Sequence, residues 1–515
     1  MAVAAGWIEH AASLELALCL VGLLVRACVS LHGYSGEASP PMYGDYEAQR
    51  HWMEVTVNLP PTAWYVDGPD NDLQYWGLDY PPLSALFSFA LGQVAAVLHP
   101  RLVELHTSRG HESAVTRAFM RCSVLLSDAF VFFPAALAYA RISSREVSSS
   151  ARYRALAMQL LCPALILVDH GHFQYNCISL GLALWAFLAA VSSRPLACCV
   201  AFSLSLNFKQ MSLYLAPAVF CYLFSGVVRR PSAASAVRSF IALGLATVLT
   251  FCMCWVPFLS SWSSVGAVLT RIFPTSRSLY EDKVANVWCT IALLRPLKLK
   301  EKLSVPILVK LTIASTLAAI APPCAMLLRW PSRRAFLLCA TACALAFFLL
   351  SFQVHEKHIL LPLLPAALLS PHHSFFFGWF ALVAGFSMFP LLSRDGLRLA
   401  YFVSQIGYAA LTSTVTPLKG GLFNKIVRAL YALSMSGMVV LHLAEATLTP
   451  PSRYPDIHPV AFSAFACVHF VGAYLLVLAY MWKISPKERG HNPLEAEGAN
   501  KIHDARMELG GTKSE

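Results

Sequence analysis

Charge is scarce in this chain. Only 13% of its 515 residues are Asp, Glu, Lys or Arg, against about 25% in soluble domains, and 57% fall in the hydrophobic class. That deficit excludes an ordinary soluble enzyme. No polar stretch is long enough to hold a separate globular unit, because apolar runs recur from residue 12 to residue 482. The fifteen cysteines include no C-x-x-C spacing and fall mostly inside apolar runs, which argues against both a zinc site and a disulfide framework. N-x-Ser/Thr sequons are missing too, so the chain is not expected to carry N-glycans. The formal charge of +11 never gathers into the aromatic-interleaved basic stripe that a nucleic-acid partner needs. The basic residues stand instead in short clusters between apolar runs, where they act as topology signals.

A membrane-spanning helix takes about 20 apolar residues. Such runs fall near 12–32, 117–140, 155–169, 177–192, 195–206, 212–228, 238–259, 304–328, 335–352, 358–370, 374–392, 399–417, 426–446 and 460–482. They predict an all-α polytopic membrane protein with about 14 transmembrane helices. Runs 155–169, 195–206 and 358–370 are short for a full crossing and fit tilted, broken or re-entrant helices. The first run follows Glu9 and His10 instead of a basic segment and is long enough to span, so it reads as a helix and not a cleaved signal. The expected organisation is one transmembrane body over 1–482 and a basic tail over 483–515. With both termini in the cytosol, the cytosolic segments hold 20 Lys and Arg and the short opposite ones five, as the positive-inside rule requires.

Two long segments remain on the non-cytosolic side, and their charges oppose each other. Segment 33–116 holds ten acids against three arginines, and segment 260–303 holds seven basic residues against three acids. Chemistry is expected between them.

In the first segment, Pro40-Pro41-Met42-Tyr43-Gly44 leads into Asp45. Two readings of Asp45 fit: a helix N-cap after a turn, or a carboxylate at the bilayer edge placed to accept a proton. Tyr46, Trp52 and Met53 have spacings that suit a helix face resting on the membrane interface. Leu73-Gln74-Tyr75-Trp76-Gly77-Leu78-Asp79-Tyr80-Pro81-Pro82 is aromatic-rich; it suits an interfacial belt or a sugar-stacking surface equally. Asp70-Asn71-Asp72 spells D-x-D, a metal-holding motif in some soluble glycosyltransferases that use nucleotide sugars. Here it sits in a run of turn residues, in a chain with no nucleotide-binding βαβ region, and reads as a turn. His170 and His172 stand two apart, a poor spacing for shared zinc ligation on a helix, and read as a polar cap or substrate contact.

In the second segment, Arg271, Arg277 and Lys283 precede the basic run Leu297-Lys298-Leu299-Lys300-Glu301-Lys302. Snorkelling is the plain explanation for such cations; a phosphorylated lipid would explain why they reverse the charge rule on this side. Finally, Gln353-Val354-His355-Glu356-Lys357-His358 interrupts two apolar helices, and ionisable groups at such depth default to function. His355 and Lys357 are the candidates.

Tyr43-Gly44-Asp45-Tyr46-Glu47-Ala48-Gln49-Arg50-His51-Trp52-Met53-Glu54, Leu78-Asp79-Tyr80-Pro81-Pro82-Leu83, His172-Phe173-Gln174-Tyr175-Asn176 and Val354-His355-Glu356-Lys357 together resemble the endoplasmic-reticulum dolichyl-phosphate-glucose-dependent α-1,3-glucosyltransferases. These are polytopic C-type glycosyltransferases with a large luminal first loop. The resemblance runs from about residue 33 to 395. Leu73–Gly77, His106–Gly110, Lys209–Met211 and Glu281–Asn286 look like the branch that adds the first glucose to the lipid-linked oligosaccharide, the second-glucose branch being the alternative. The resemblance implies dolichyl-phosphate-glucose as donor, Man(9)GlcNAc(2)-diphosphodolichol as acceptor, and a luminal, inverting site in the endoplasmic-reticulum membrane. It implies Asp45 as the base, with His355, Lys357 and Arg277 at the donor phosphate. Asp79, Gln174 and Trp76 would shape the substrate site, with no cofactor or metal. The rival from another class is a secondary transporter, which usually shows repeated halves with charges near the midplane. This sequence shows no internal repeat and keeps its charged motifs at loop edges.

Overall fold

The computed structural model describes residues 2–143, 147–274, 283–292, 303–413 and 421–484. Among the described residues the regular structure is helical, apart from one isolated bridge between Gly68 and Asn71. Helix α1 covers Ala2–Val29, α2 Asp45–Asn58 and α3 Pro82–Leu98. Then come α4 (Ala114–Ile142) and α5 (Ser149–Phe173), each long enough to cross a membrane. The shorter α6 (Asn176–Val191) and α7 (Pro195–Phe208) lead to α8 (Gln210–Val227) and α9 (Ala233–Phe258). After α10 (Trp262–Ile272) follow α11 (Val305–Arg329) and α12 (Arg333–Leu350). The chain ends with α13 (Leu360–Leu368), α14 (Ser370–Ser387), α15 (Arg398–Ser413), α16 (Leu422–Thr447) and α17 (Ile457–Trp482).

Each of the fourteen apolar runs overlaps helical structure among the described residues, although run 374–392 is divided between Ser370–Ser387 and Phe389–Arg394. Eight helical stretches among the described residues are long and apolar enough to cross a membrane. Helix α12 is the centre of the bundle, with 78% of its apolar window buried, whereas α9 and the apolar part of α16 have only 11% buried. In an apolar solvent the exposed faces of α9 and α16 need no protein partner, which is how a membrane helix differs from a soluble one. The cysteines among the described residues are all free. The thiols of Cys324, Cys339 and Cys343 nevertheless gather within 4.8 Å of one another, a grouping that no sequence spacing announced.

Two expectations for segment 33–116 need correction. It contains an additional apolar helix, α3, which packs against α2. Helix α2 does not rest an aromatic face on the bilayer: Tyr46, Trp52 and Met53 are buried in protein, as are Glu47, Arg50 and Glu54. The Arg50 guanidinium accounts for this. It donates to Glu47 at 2.7 and 2.8 Å, to Glu54 at 2.7 Å, to the carbonyl of Leu102 at 2.9 Å and to Ser108 at 2.6 Å. A buried charge with its donors so satisfied is tolerated in the interior. The carboxylates of this cluster also gather their surroundings: Glu47 accepts from Tyr75 and the Gly110 amide, and Glu54 from the His106 amide and Ser108. Leu73–Gly77 and His106–Gly110 are thereby fastened to the helix that begins with Asp45.

Candidate active site

Gly44, not Asp45, is the N-cap of α2, and it offers no side-chain cap. A Cβ at Gly44 would stand 2.4 Å from Ser35 Oγ, so only glycine lets the chain pass there, and Ser35 accepts the Asp45 amide at 3.2 Å. The Asp45 carboxylate is therefore free of capping duty. Its Oδ2 lies 2.6 Å from Lys357 Nζ and 3.1 Å from His172 Nε2, and it accepts from Gln174 Nε2. Burial works against its charge, but Lys357 and His172 outweigh it and hold the carboxyl well below the usual carboxylate range. Lys357 shows the reverse balance: burial lowers its pKa, and Asp45 more than restores it. Glu356 faces Arg394 at 3.8 Å instead.

The end of α5 delivers two of these partners. Over Leu167–Phe173 the helix widens to π geometry, a form frequent at functional sites. Phe173 then takes φ +88° and Gln174 is extended. This abrupt exit turns His172 and Gln174 toward Asp45, while His170 turns to Asp128 at 2.9 Å. The two histidines thus face different carboxylates. His172 Nδ1 meets Asp395 at 2.6 Å, a residue that lies 223 positions further along the chain.

Lys209, at the break between α7 and α8, completes the polar floor. Its ammonium donates to Gln174 Oε1 at 2.8 Å and Asn176 Oδ1 at 2.6 Å, and sits 4.7 Å from the Tyr80 ring centre. Burial pushes its pKa below the ordinary lysine range, and the charge of Lys357 adds to that.

These groups line a cavity of about 660 Å³, a size suited to small-molecule ligands. Asp45, Gln174, Lys209, His355 and Lys357 form its polar part; Trp52, Trp76, Asp79 and Tyr80 wall one side. Arg271 comes from the second long segment and is anchored on the carbonyls of Gly77 and Leu78 at 2.8 and 2.9 Å. The lining also includes the apolar side chains of Met211, Leu213, Val309 and Ile313, the last two from α11. Acidic and basic segments do meet here, as their charges suggested.

The expected site residues Asp45, Trp76, Asp79, Gln174, His355 and Lys357 therefore share one cavity. Arg277 lies outside the described residues. The Asp70-Asn71-Asp72 motif is a turn: Asn71 donates to the carbonyls of Ala63, Trp64 and Val66, Asp72 accepts the Gln74 amide, and Asp70 turns away to His106. Sequence reasoning read Lys209 only as part of a branch-specific segment, passed over Asp395 and left His172 without a partner. The available signal was a single charge at the edge of an apolar run, as for Lys357.

A family model described as "ALG6, ALG8 glycosyltransferase family" matches residues 19–477. Among curated proteins, "Dolichyl pyrophosphate Man9GlcNAc2 alpha-1,3-glucosyltransferase" of Gallus gallus is 43% identical over 475 residues, covering 88% of this chain and 93% of that protein. The protein of the same name from Rattus norvegicus is 41% identical with the same coverage. Among solved structures, ArnT from Cupriavidus metallidurans in the apo state aligns with a TM-score of 0.38 and 14% identity, over 93% of this chain and 78% of that one.

Proposed function

Because this chain belongs to the ALG6, ALG8 glycosyltransferase family, we propose that it transfers the first glucose from dolichyl-phosphate-glucose, in α-1,3 linkage, to Man(9)GlcNAc(2)-diphosphodolichol. The membrane is that of the endoplasmic reticulum, the site faces the lumen and both termini are cytosolic. One observation carries the reading: a single cavity is lined by a partly buried carboxylate and two lysines and also by apolar side chains of α11. That combination suits a sugar phosphate on a long isoprenoid tail.

Asp45 is the base. Inversion at the glucose carbon requires one group to take the proton of the attacking hydroxyl. The leaving group is a phosphate, which needs preorganised cations more than a proton donor. Lys357 and His355 supply that end, Lys209 adds a buried ammonium held by two neutral amides, and Arg277 is the further cation expected at the phosphate. In the resting site Lys357 pairs with Asp45; an arriving phosphate competes for the ammonium and releases the carboxylate. Trp76, Asp79 and Gln174 shape the space for the sugars. No step calls on a metal, since cations of the chain face the place where charge develops.

The deciding experiment supplies purified protein with dolichyl-phosphate-glucose and lipid-linked acceptors carrying no glucose or one glucose. Extension of the unglucosylated acceptor alone is the expected result. Extension of the monoglucosylated acceptor alone would move the protein to the second-glucose step, and extension of neither would refute the reading.

A further inference from the structure

The base has a companion whose geometry goes further than support. His172 is pinned between two carboxylates, with Nδ1 2.6 Å from Asp395 and Nε2 3.1 Å from Asp45. In its proton-accepting form the imidazole is neutral and carries one N–H, which the shorter contact to a carboxylate, that of Nδ1 with Asp395, places on Nδ1. Nε2 then keeps a lone pair. Lys357 Nζ stands 3.2 Å from that nitrogen as well as 2.6 Å from Asp45, so in the resting site the ammonium donates to both.

The fold is arranged to bring Asp395 there. It sits in the turn between the short helix Phe389–Arg394 and α15. That turn lies against the end of α5: a Cβ at Gly171 would meet Leu397 at 2.8 Å, so a larger residue would push the turn away.

We propose that His172, its Nδ1–H fixed by Asp395, takes over from Asp45 the proton that the acceptor hydroxyl gives up. This rests on Asp45 being the base. In the step, the acceptor O–H breaks and its oxygen bonds to the glucose anomeric carbon. The bond from that carbon to the phosphate oxygen breaks, and its electron pair leaves on dolichyl phosphate. The proton passes from the hydroxyl to Asp45 and on to His172 Nε2, and the imidazolium returns it to water after product release. An imidazole is a stronger base than an ordinary carboxylate, and Nε2 is the lone pair beside Asp45 once Lys357 has turned to the phosphate. Both His172 and Asp395 act through Asp45 and are positioning residues.

The charged groups around the imidazole are Asp45 from α2, Lys357 from the 353–358 segment and Asp395. Other charges on the elements packed there are engaged elsewhere: Arg26 and His170 with Asp128, Arg121 with the carbonyls of His170 and Gly33, Arg117 with Glu37, and Arg398 with Glu445. A protonated His172 cannot receive a proton, so turnover should fall as pH drops through its titration. Asp395 stabilises the protonated ring, and removing that anion should move the acidic limb to lower pH.

The test measures kcat against pH for the full-length protein in lipid nanodiscs, with both substrates saturating. The expected result is a loss of roughly 10²-fold for His172→Gln and Asp395→Asn, with KM for both substrates within about threefold. The acidic limb should vanish in His172→Gln and move to lower pH in Asp395→Asn. Asp395→Glu, which keeps the anion, should restore most of the rate. A limb that stays in place in both variants, or a turnover that merely follows thermal stability, overturns the proposal. So does wild-type turnover in His172→Gln and Asp395→Asn when Asp45→Asn is inactive; the base reading then stands alone. Wild-type turnover in Asp45→Asn would overturn the base reading itself.

Discussion

Lys357 and Asp45 stand 312 positions apart in the sequence and 2.6 Å apart in the structure. The pair closes the site across the bundle, joining the first residue of α2 to the break between α12 and α13. Each residue has a bland local explanation, helix capping for one and snorkelling for the other. The contact displaces both explanations, and it makes the charge of each the other's environment.

Asp45→Asn is expected to lower glucosyl transfer by about 10²–10⁴-fold with an unchanged melting temperature. The amide matches the carboxylate in size but accepts no proton. Turnover at the wild-type level in purified protein would return Asp45 to a structural role.

Lys357→Ala and Lys357→Met should both lose activity, by roughly 10²-fold, and mainly in kcat. Methionine keeps the apolar stem, so a snorkelling lysine would tolerate it. Side-by-side kinetics of the two variants decide the matter: a methionine variant with near-normal turnover excludes a role at the phosphate.

Glu54 should govern acid stability. Burial opposes its charge, but His51 and Arg50 outweigh burial and hold the carboxyl down to about 2 from an ordinary 4.5. A folded-state pKa below the ordinary one stabilises the protein fully above about 4.5, and that contribution disappears as pH falls toward 2. Glu54→Gln leaves Arg50 with one carboxylate fewer in a buried cluster, a loss of about 3–5 kcal/mol. Thermal unfolding at pH 7 and pH 4 should show a lower melting temperature for the variant, with the difference shrinking at the lower pH.

The D-x-D motif offers a contrast within three residues. Replacing Asp70 and Asp72 together by Asn should change activity by no more than about threefold, since the Asp70–His106 contact is exposed and such pairs are weak. Asn71→Ala should be worse, because its buried carboxamide satisfies three carbonyls; leaving buried polar groups unpaired costs about 1–3 kcal/mol. Activity should persist in chelator. A rate lost in chelator and regained with magnesium or manganese would reveal a metal requirement.

The helical, membrane-bound character was legible because apolar runs need no partner to be recognised, and Asp45, Gln174 and Lys357 stood out as polar breaks between them. Helix α3 escaped notice: its 17 residues are short for a crossing and include four alanines after Leu83 besides Ser84, Ser88 and Gly92. The burial of α2 was misjudged for a different reason. Periodicity reports that one face is apolar but not whether lipid or protein covers it, and the Glu47–Arg50–Glu54 cluster that permits full burial depends on Leu102 and Ser108, far away in sequence. Asp395 and Lys209 are single charges whose meaning lies entirely in distant partners.

The apolar part of the cavity lining, at Val309 and Ile313 of a membrane-length helix whose apolar window is only 22% buried in protein, has a kinetic consequence. A donor that enters between helices diffuses in two dimensions, and the concentration the site experiences is the donor's mole fraction in the bilayer, not its amount per volume of buffer. Adding empty vesicles that fuse with donor-bearing ones should slow the reaction at constant total donor, while diluting the whole suspension with buffer should leave the rate per enzyme unchanged.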